Sequence, residues 1–236
     1  MQAHAANLSA IGFDADDTLW QNEQLYKLTE KRFTALLADY AEANDLSNRL
    51  LEAERRNLKA YGFGIKGFTL SMIETAIEVT EGRVPSTVIH QIVDAGRDLL
   101  SHPIEPLPHA RATLEQLSGD YRLVLITKGD LFDQERKLAQ SGLGELFSAI
   151  EIVSDKSVAT YERIFSRHGD GPQQSMMVGN SLKSDIVPAI EAGCWGVFVP
   201  HDLTWAYEHV DEPTAAERFR KLQHLGELSD LLKSLG

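Results

Sequence analysis

Hydrophobic positions along this chain follow two periods, and the switch between them divides it. Residues 8–13 form a short run containing Leu8, Ile11 and Phe13, whose length and content suit a buried strand. Over 23–43 the period lengthens, with Leu25, Leu28, Phe33, Leu36, Leu37 and Tyr40 at helical spacing. Asn44 and Asp45 break that pattern, and a second helix is predicted over 46–61. Gly62, Gly64 and Gly67 make 62–67 too glycine-rich for a helix, and a third periodic segment covers 69–80. Pro85 and Ser86 open a fourth helix carrying Val88, Ile89, Ile92, Val93, Leu99 and Leu100. Pro103, Pro106 and Pro108 then mark a linker.

Beyond the linker, strand and helix signals alternate. Helices are predicted over 110–117, 131–140, 159–167 and 183–192, and strands over 122–127, 149–153, 175–179 and 196–199. Alternation of this kind predicts an α/β fold, a doubly wound parallel sheet with helices on both faces. The strand at 8–13 has no other sheet to join. The four early helices therefore read as an insertion, giving an α/β core of 1–20 and 105–236 and a small helical-bundle domain of 21–104. The tail over 201–236 is less legible, with a closing helix predicted at 227–235.

Composition removes several classes of partner. The 236 residues are 43% hydrophobic and 25% charged, as in an ordinary globular protein. Asp and Glu number 35 against 23 Lys and Arg, a formal charge of -12 that disfavours nucleic acid and anionic membranes. No apolar stretch approaches the roughly 20 residues of a membrane span. Residues 1–7 lack the basic and apolar regions of a secretory signal, so a cytoplasmic protein is expected. The lone Cys194 excludes an intrachain disulfide and reads as core.

In parallel sheets, ligands collect at the carboxyl ends of the strands. The residues just after the predicted strands are Asp14, Asp16 and Thr18; Thr127, Lys128, Gly129 and Asp130; Lys156; and the stretch from Gly179 through Asn180 to Asp185. Asp14 and Asp16, two apart near a strand end, are placed to project to one side, where their repulsion favours a proton or a cation between them. Taken singly, each group has a plain reading. Thr127 caps a helix, Lys156 is solvated, Asp185 is a first-turn acid favoured by the helix dipole, and Gly179-Asn180-Ser181 is a turn. Their joint placement at strand ends is what those readings leave unexplained. The set suits a hard divalent cation with a phosphoryl group.

Taken in order, Asp14-Ala15-Asp16-Asp17-Thr18-Leu19, Thr127, Lys156 and Gly179-Asn180-Ser181-Leu182-Lys183-Ser184-Asp185 resemble the four motifs of the haloacid dehalogenase superfamily. The resemblance covers nearly the whole chain, and the helical segment lies where that superfamily inserts its helical cap. It implies a Rossmann-like core and a Mg2+-dependent phosphatase acting on a small phosphorylated metabolite. Asp14 would be the nucleophile that forms an aspartyl-phosphate. Asp16 would be the general acid and then the base, its backbone carbonyl helping to hold Mg2+. Thr127 and the N–H after it would bind the phosphoryl group, with Lys128 and Gly129 in the same substrate-binding turn. Lys156 would balance the charge, and Asp14, Asp16, Asn180 and Asp185 would hold the metal.

Asp16 favours ester hydrolysis over dehalogenation, because haloacid dehalogenases carry no acid there. Asn180 is the departure, since similar phosphatases usually place Asp at that position; the amide keeps an oxygen but loses the charge, so weaker Mg2+ binding is expected. Lys66, in the glycine-rich loop, is a candidate substrate contact. His201 and Trp205 read as packing or surface, and Asp17 has no assigned reaction role. A 2-haloacid dehalogenase, a phosphomutase, and a weakly active or non-catalytic binding protein stay open as alternatives. So does the choice between monomer and homodimer.

Overall fold

The computed structural model describes residues 8–203, 205, 208 and 210–235; the expectation about a leader in 1–7 lies outside them. The chain divides into two compact units, Met1–Gln21 with Ile104–Lys128 and Gln134–Gly236, and Asn22–Pro103 with Gly129–Asp133.

Strand β1 (Ala10–Phe13) is buried throughout and opens the first unit. The helices α1 (Glu23–Leu36), α2 (Ala43–Tyr61), α3 (Ile65–Val79) and α4 (Ser86–Ser101) make up most of the second unit. Their core includes Phe33, Leu37, Leu46, Leu50, Phe68, Met72, Ile92 and Leu99. Asn44 and Asp45 do not separate two helices here; they lie in the first turn of α2, where an acidic side chain is favoured by the helix dipole. Nor does glycine content delay α3. Gly67 lies inside the helix, and a Cβ there would sit 2.9 Å from the carbonyl oxygen of Gly62, so the bare backbone lets the incoming turn pack closely.

The chain continues through α5 (Ala110–Leu117), β2 (Arg122–Lys128), α6 (Leu131–Ser141), β3 (Ala149–Val153), α7 (Val158–His168) and β4 (Ser175–Gly179). A wide π-type turn at Leu182–Ile186 leads into the short α8 (Val187–Glu191), where one longer helix was predicted. Strands β5 (Trp195–Phe198) and β6 (Phe219–Lys221) and helix α9 (Leu228–Leu235) follow. Strand β6 carries no strand signal in the sequence, because its three residues include two cations and show no apolar run. Arg220 of this strand lies 4.8 Å over the Trp195 ring.

All strand pairings are parallel, in the order β3-β2-β1-β4-β5-β6. The period-two alternation sorts side chains onto two faces. Ile11, Phe13, Leu123, Leu125, Met176, Val178, Trp195 and Val197 pack with α5 and α9. Ala10, Val124, Ile126 and Met177 meet Tyr161, Ile164 and Phe165 of α7 and the buried Cys194. Burial pushes the Cys194 thiol up to about 12, which leaves it inert. Among the described residues no helix is long and apolar enough to cross a membrane.

The strand order matters for function. The chain builds outward from β1 to β3, then returns to place β4 on the other side of β1. The loops leaving β1 and β4 therefore diverge from adjacent strands, the switch point at which open α/β sheets bind ligands.

Candidate active site

Phe13 of β1 lies opposite Val178 of β4, and the Asp14 N–H donates to the Val178 carbonyl at 2.9 Å. Asp14 and the region around Asn180 thus leave the sheet side by side. The Lys156 ammonium, buried just beyond β3, donates to Asp14 Oδ1 and, at 2.7 Å, to Asp185 Oδ1. One cation between two buried carboxylates leaves an uncompensated negative charge. Burial first, and then Asp185, push the Asp14 carboxyl up to about 7 against the opposing pull of Lys156. Burial also works to lower the Lys156 pKa, but Asp14 and Asp185 outweigh it and hold the ammonium above its ordinary range. The charge that chiefly crowds Asp14 is Asp185. It is not Asp16, as the two-residue spacing had predicted.

Asp185 reaches this position because Gly179 has no side chain. A Cβ at Gly179 would lie 2.3 Å from Asp185 Oδ2 and 2.5 Å from its Cγ. The turn after β4 is pinned as well: the Ser181 N–H donates to Asp185 Oδ2 at 2.9 Å, and Tyr161 donates its hydroxyl proton to the Ser184 carbonyl at 2.9 Å. Gly179→Ala is expected to expel the Asp185 carboxylate and destabilise the fold by about 1–3 kcal/mol, the usual range for overpacking. Chemical denaturation checks this; an unchanged midpoint would mean that Asp185 has room to move.

Thr18 donates its hydroxyl proton to Asp14 Oδ2 at 3.2 Å. Hydrogen bonding orients the Asn180 amide so that its nitrogen donates to Asp14 Oδ2 and the Asp16 carbonyl, both at 3.2 Å, and to Thr18 Oγ1 at 3.3 Å. Asn180 therefore already faces the oxygens expected to hold a cation. An aspartate in its place would add a third carboxylate beside Asp14. Among the described residues no group of three His, Cys, Asp or Glu side chains forms a metal cage. A cation here would rest on two carboxylates, a main-chain carbonyl and, once the Asn180 amide turns its oxygen inward, that amide. With the amide turned all four are oxygen donors, and the surplus negative charge fits a hard divalent ion.

Asp16 engages a different set of residues. Its Oδ1 accepts from Trp20 Nε1 at 2.7 Å and Lys137 Nζ at 2.9 Å. Its Oδ2 accepts from Gln134 Nε2 at 2.9 Å and Lys137 Nζ at 3.0 Å. Burial acts to raise the Asp16 pKa, but the Lys137 charge and these donated hydrogen bonds outweigh it and hold the carboxyl below its usual range. Asp17, at φ 61°, takes a left-handed conformation that closes the loop, its N–H donating to the Trp20 carbonyl at 2.7 Å. His201 lies 3.7 Å from the Asp17 carboxylate.

Thr127 is buried at the carboxyl end of β2. The Lys128 ammonium donates to Ser184 Oγ at 2.6 Å and to Glu208 at 2.5 Å, and Glu208 also accepts from Ser181 and Ser184 at 2.5 Å. Gly129 and Lys66 belong to the second unit, where Lys66 pairs with Asp130 at 3.0 Å.

Residues 8–193 match the family model described as haloacid dehalogenase-like hydrolase. The chain belongs to this family. It is 43% identical to a haloacid dehalogenase-like family hydrolase from Xanthomonas campestris, with a TM-score of 0.86 over 97% of this chain and 92% of that one. Glyceraldehyde 3-phosphate phosphatase of Methanothermobacter thermautotrophicus is 27% identical over 87% of this chain and 92% of its own length. The fold is shared with the L-2-haloacid dehalogenase of Xanthobacter autotrophicus, at 19% identity and a TM-score of 0.66 over 97% of this chain and 100% of that one.

Within this haloacid dehalogenase-like hydrolase, the fold brings together Asp14, Lys156, Asn180 and Asp185, joined by Thr18. Gln134, Lys137 and Glu208 were missed. Gln134 and Lys137 are one helical turn apart on α6, a spacing indistinguishable in the sequence from an ordinary solvated face. Glu208 lies in the tail whose pattern was illegible.

Proposed function

We propose that this hydrolase is a Mg2+-dependent phosphatase that cleaves a small phosphorylated metabolite through an aspartyl-phosphate on Asp14. The observation that carries the reading is the buried Asp14–Lys156–Asp185 cluster with its unbalanced negative charge, set beside a further carboxylate, Asp16. An Asp14 oxygen attacks phosphorus as the bond from phosphorus to the ester oxygen breaks, and Asp16 supplies the proton that the departing alkoxide needs. Asp16 then takes a proton from water, whose oxygen attacks the acyl phosphate and frees Asp14 and inorganic phosphate. Lys156 and the backbone after Thr127 offset charge on the transferring group.

Asp14, Asp185, Asn180 and the Asp16 carbonyl would hold Mg2+, which when bound neutralises phosphoryl oxygens and keeps Asp14 ionised. We extend the proposal to Lys66 as a substrate contact. Release of a halide needs no proton, so the presence of Asp16 favours ester cleavage over the dehalogenase alternative.

A screen tests the reading. Glyceraldehyde 3-phosphate, pyrimidine 5′-nucleotides and 4-nitrophenyl phosphate are assayed with Mg2+ and with chelator, alongside 2-chloropropionate for chloride release. Phosphate release that depends on Mg2+ is expected. Inert esters throughout, or chloride release without metal, would overturn it.

A further inference from the structure

A second costly arrangement, outside the Asp14 cluster, is on α6. Lys137 is a buried lysine, 4% exposed, and Gln134 beside it is equally hidden. Taking an ammonium out of water costs several kcal/mol unless a partner recovers it, and a leucine or methionine would fill the same volume without that cost. Asp16 is such a partner, and Lys137 reaches both of its oxygens, at 2.9 and 3.0 Å. With Gln134 and Trp20 the carboxylate accepts four donated hydrogen bonds, two on each oxygen. Gln134 does more than donate to Asp16, because the same Nε2 also donates to the Lys128 carbonyl at 3.2 Å. One amide group therefore ties the loop after β1 to the end of β2, the two segments that present Asp16 and Thr127.

We propose that Gln134 and Lys137 are positioning residues which fix the Asp16 carboxylate relative to the phosphoryl-binding end of β2 and so govern the departure of the leaving group. This rests on the reading of Asp16 as proton donor to that group. Both residues donate to the Asp16 carboxylate, and helix α6 supplies the rigid frame that a loop aspartate lacks. Their removal leaves Asp14, Lys156 and Asp185 intact. The attack on phosphorus should then be little affected for an ester whose leaving group departs without a proton, and strongly affected for one that needs it.

The experiment compares 4-nitrophenyl phosphate, a good leaving group, with phenyl phosphate, a poor one of similar size, on the whole enzyme with Mg2+. Lys137→Met, Lys137→Arg, Gln134→Met and Asp16→Asn are each checked for folding by circular dichroism; Gln134→Met, which buries no uncompensated charge, serves if Lys137→Met fails to fold. The expected result for Lys137→Met is a kcat loss of roughly 100-fold on phenyl phosphate, within the range for general acid catalysis, and less than about tenfold on 4-nitrophenyl phosphate. KM should be nearly unchanged, Gln134→Met should show the same skew, and Lys137→Arg should recover part of the loss. Equal losses on the two esters for folded Lys137 and Gln134 variants, while Asp16→Asn still discriminates between them, would overturn the positioning role and leave the reading of Asp16 standing. Equal losses for Asp16→Asn as well would remove that reading, and the proposal with it.

Discussion

Asp14→Asn is expected to abolish phosphate release, by roughly 10³-fold or more in kcat/KM, and at the same time to make the metal-free protein more stable. The two effects have one cause. Asp14 shares Lys156 with Asp185, and burial together with Asp185 pushes its carboxyl from 3.8 to about 7. Between those values the folded protein holds a proton that the unfolded chain has released. Stability contributed at this site is thus fully present below about 3.8 and is lost as pH rises toward 7. An asparagine cannot ionise, and it leaves Lys156 paired one to one with Asp185. At pH 8 in chelator the variant should exceed the wild type by about 2 kcal/mol, or roughly 4–8 °C in Tm, and the gap should close as the pH falls toward 4. Saturating Mg2+ should narrow the difference at pH 8 by stabilising only the wild type. A variant less stable than the wild type at pH 8 in chelator would show that the Asp14 charge is well compensated in the fold.

Asp16 has the opposite sign. Its carboxyl is held below 3.8, so its stabilisation is present above that value and is lost as the pH falls below it. Both residues were visible in one six-residue motif, and nothing in that motif separates their environments. The difference comes from distant parts of the chain. Lys156 and Asp185 are brought to Asp14 by β3 and β4, whereas Gln134 and Lys137 are brought to Asp16 by α6. Strand ends were legible because buried parallel strands read as apolar runs, and the residue after each run could be picked out directly. The polar face of α6 was not, since a buried lysine and a solvated one look alike until packing is known. β6 escaped notice for a related reason, its two cations interrupting an apolar pattern already only three residues long. Gly179 was legible as part of a motif, but its purpose was not. Only the fold shows the Asp185 carboxylate occupying the space a side chain would need.

Lys156→Met is expected to be the most destabilising single change in the site, by about 3–5 kcal/mol in chelator at pH 8, with hydrolysis lost as well. The comparison with Asp14→Asn explains the magnitude. Removing one of two carboxylates leaves a matched pair, whereas removing the ammonium leaves two buried carboxylates facing each other without a counter-charge. The volume is nearly conserved, so the loss does not come from a cavity. Acid should restore stability as the carboxylates take up protons, the reverse of ordinary acid denaturation at a paired aspartate. Because Asp14 and Lys156 touch, the two substitutions should not add. In the Lys156→Met background, Asp14→Asn should recover more than the roughly 2 kcal/mol it contributes alone, because it then removes an unpaired carboxylate rather than one shared with an ammonium. Denaturant titrations of the four proteins at pH 5 and pH 8 measure this directly. Strict additivity at pH 8 would mean that Lys156 stabilises the site by packing, and that the charge balance inferred for Asp14, Lys156 and Asp185 is wrong.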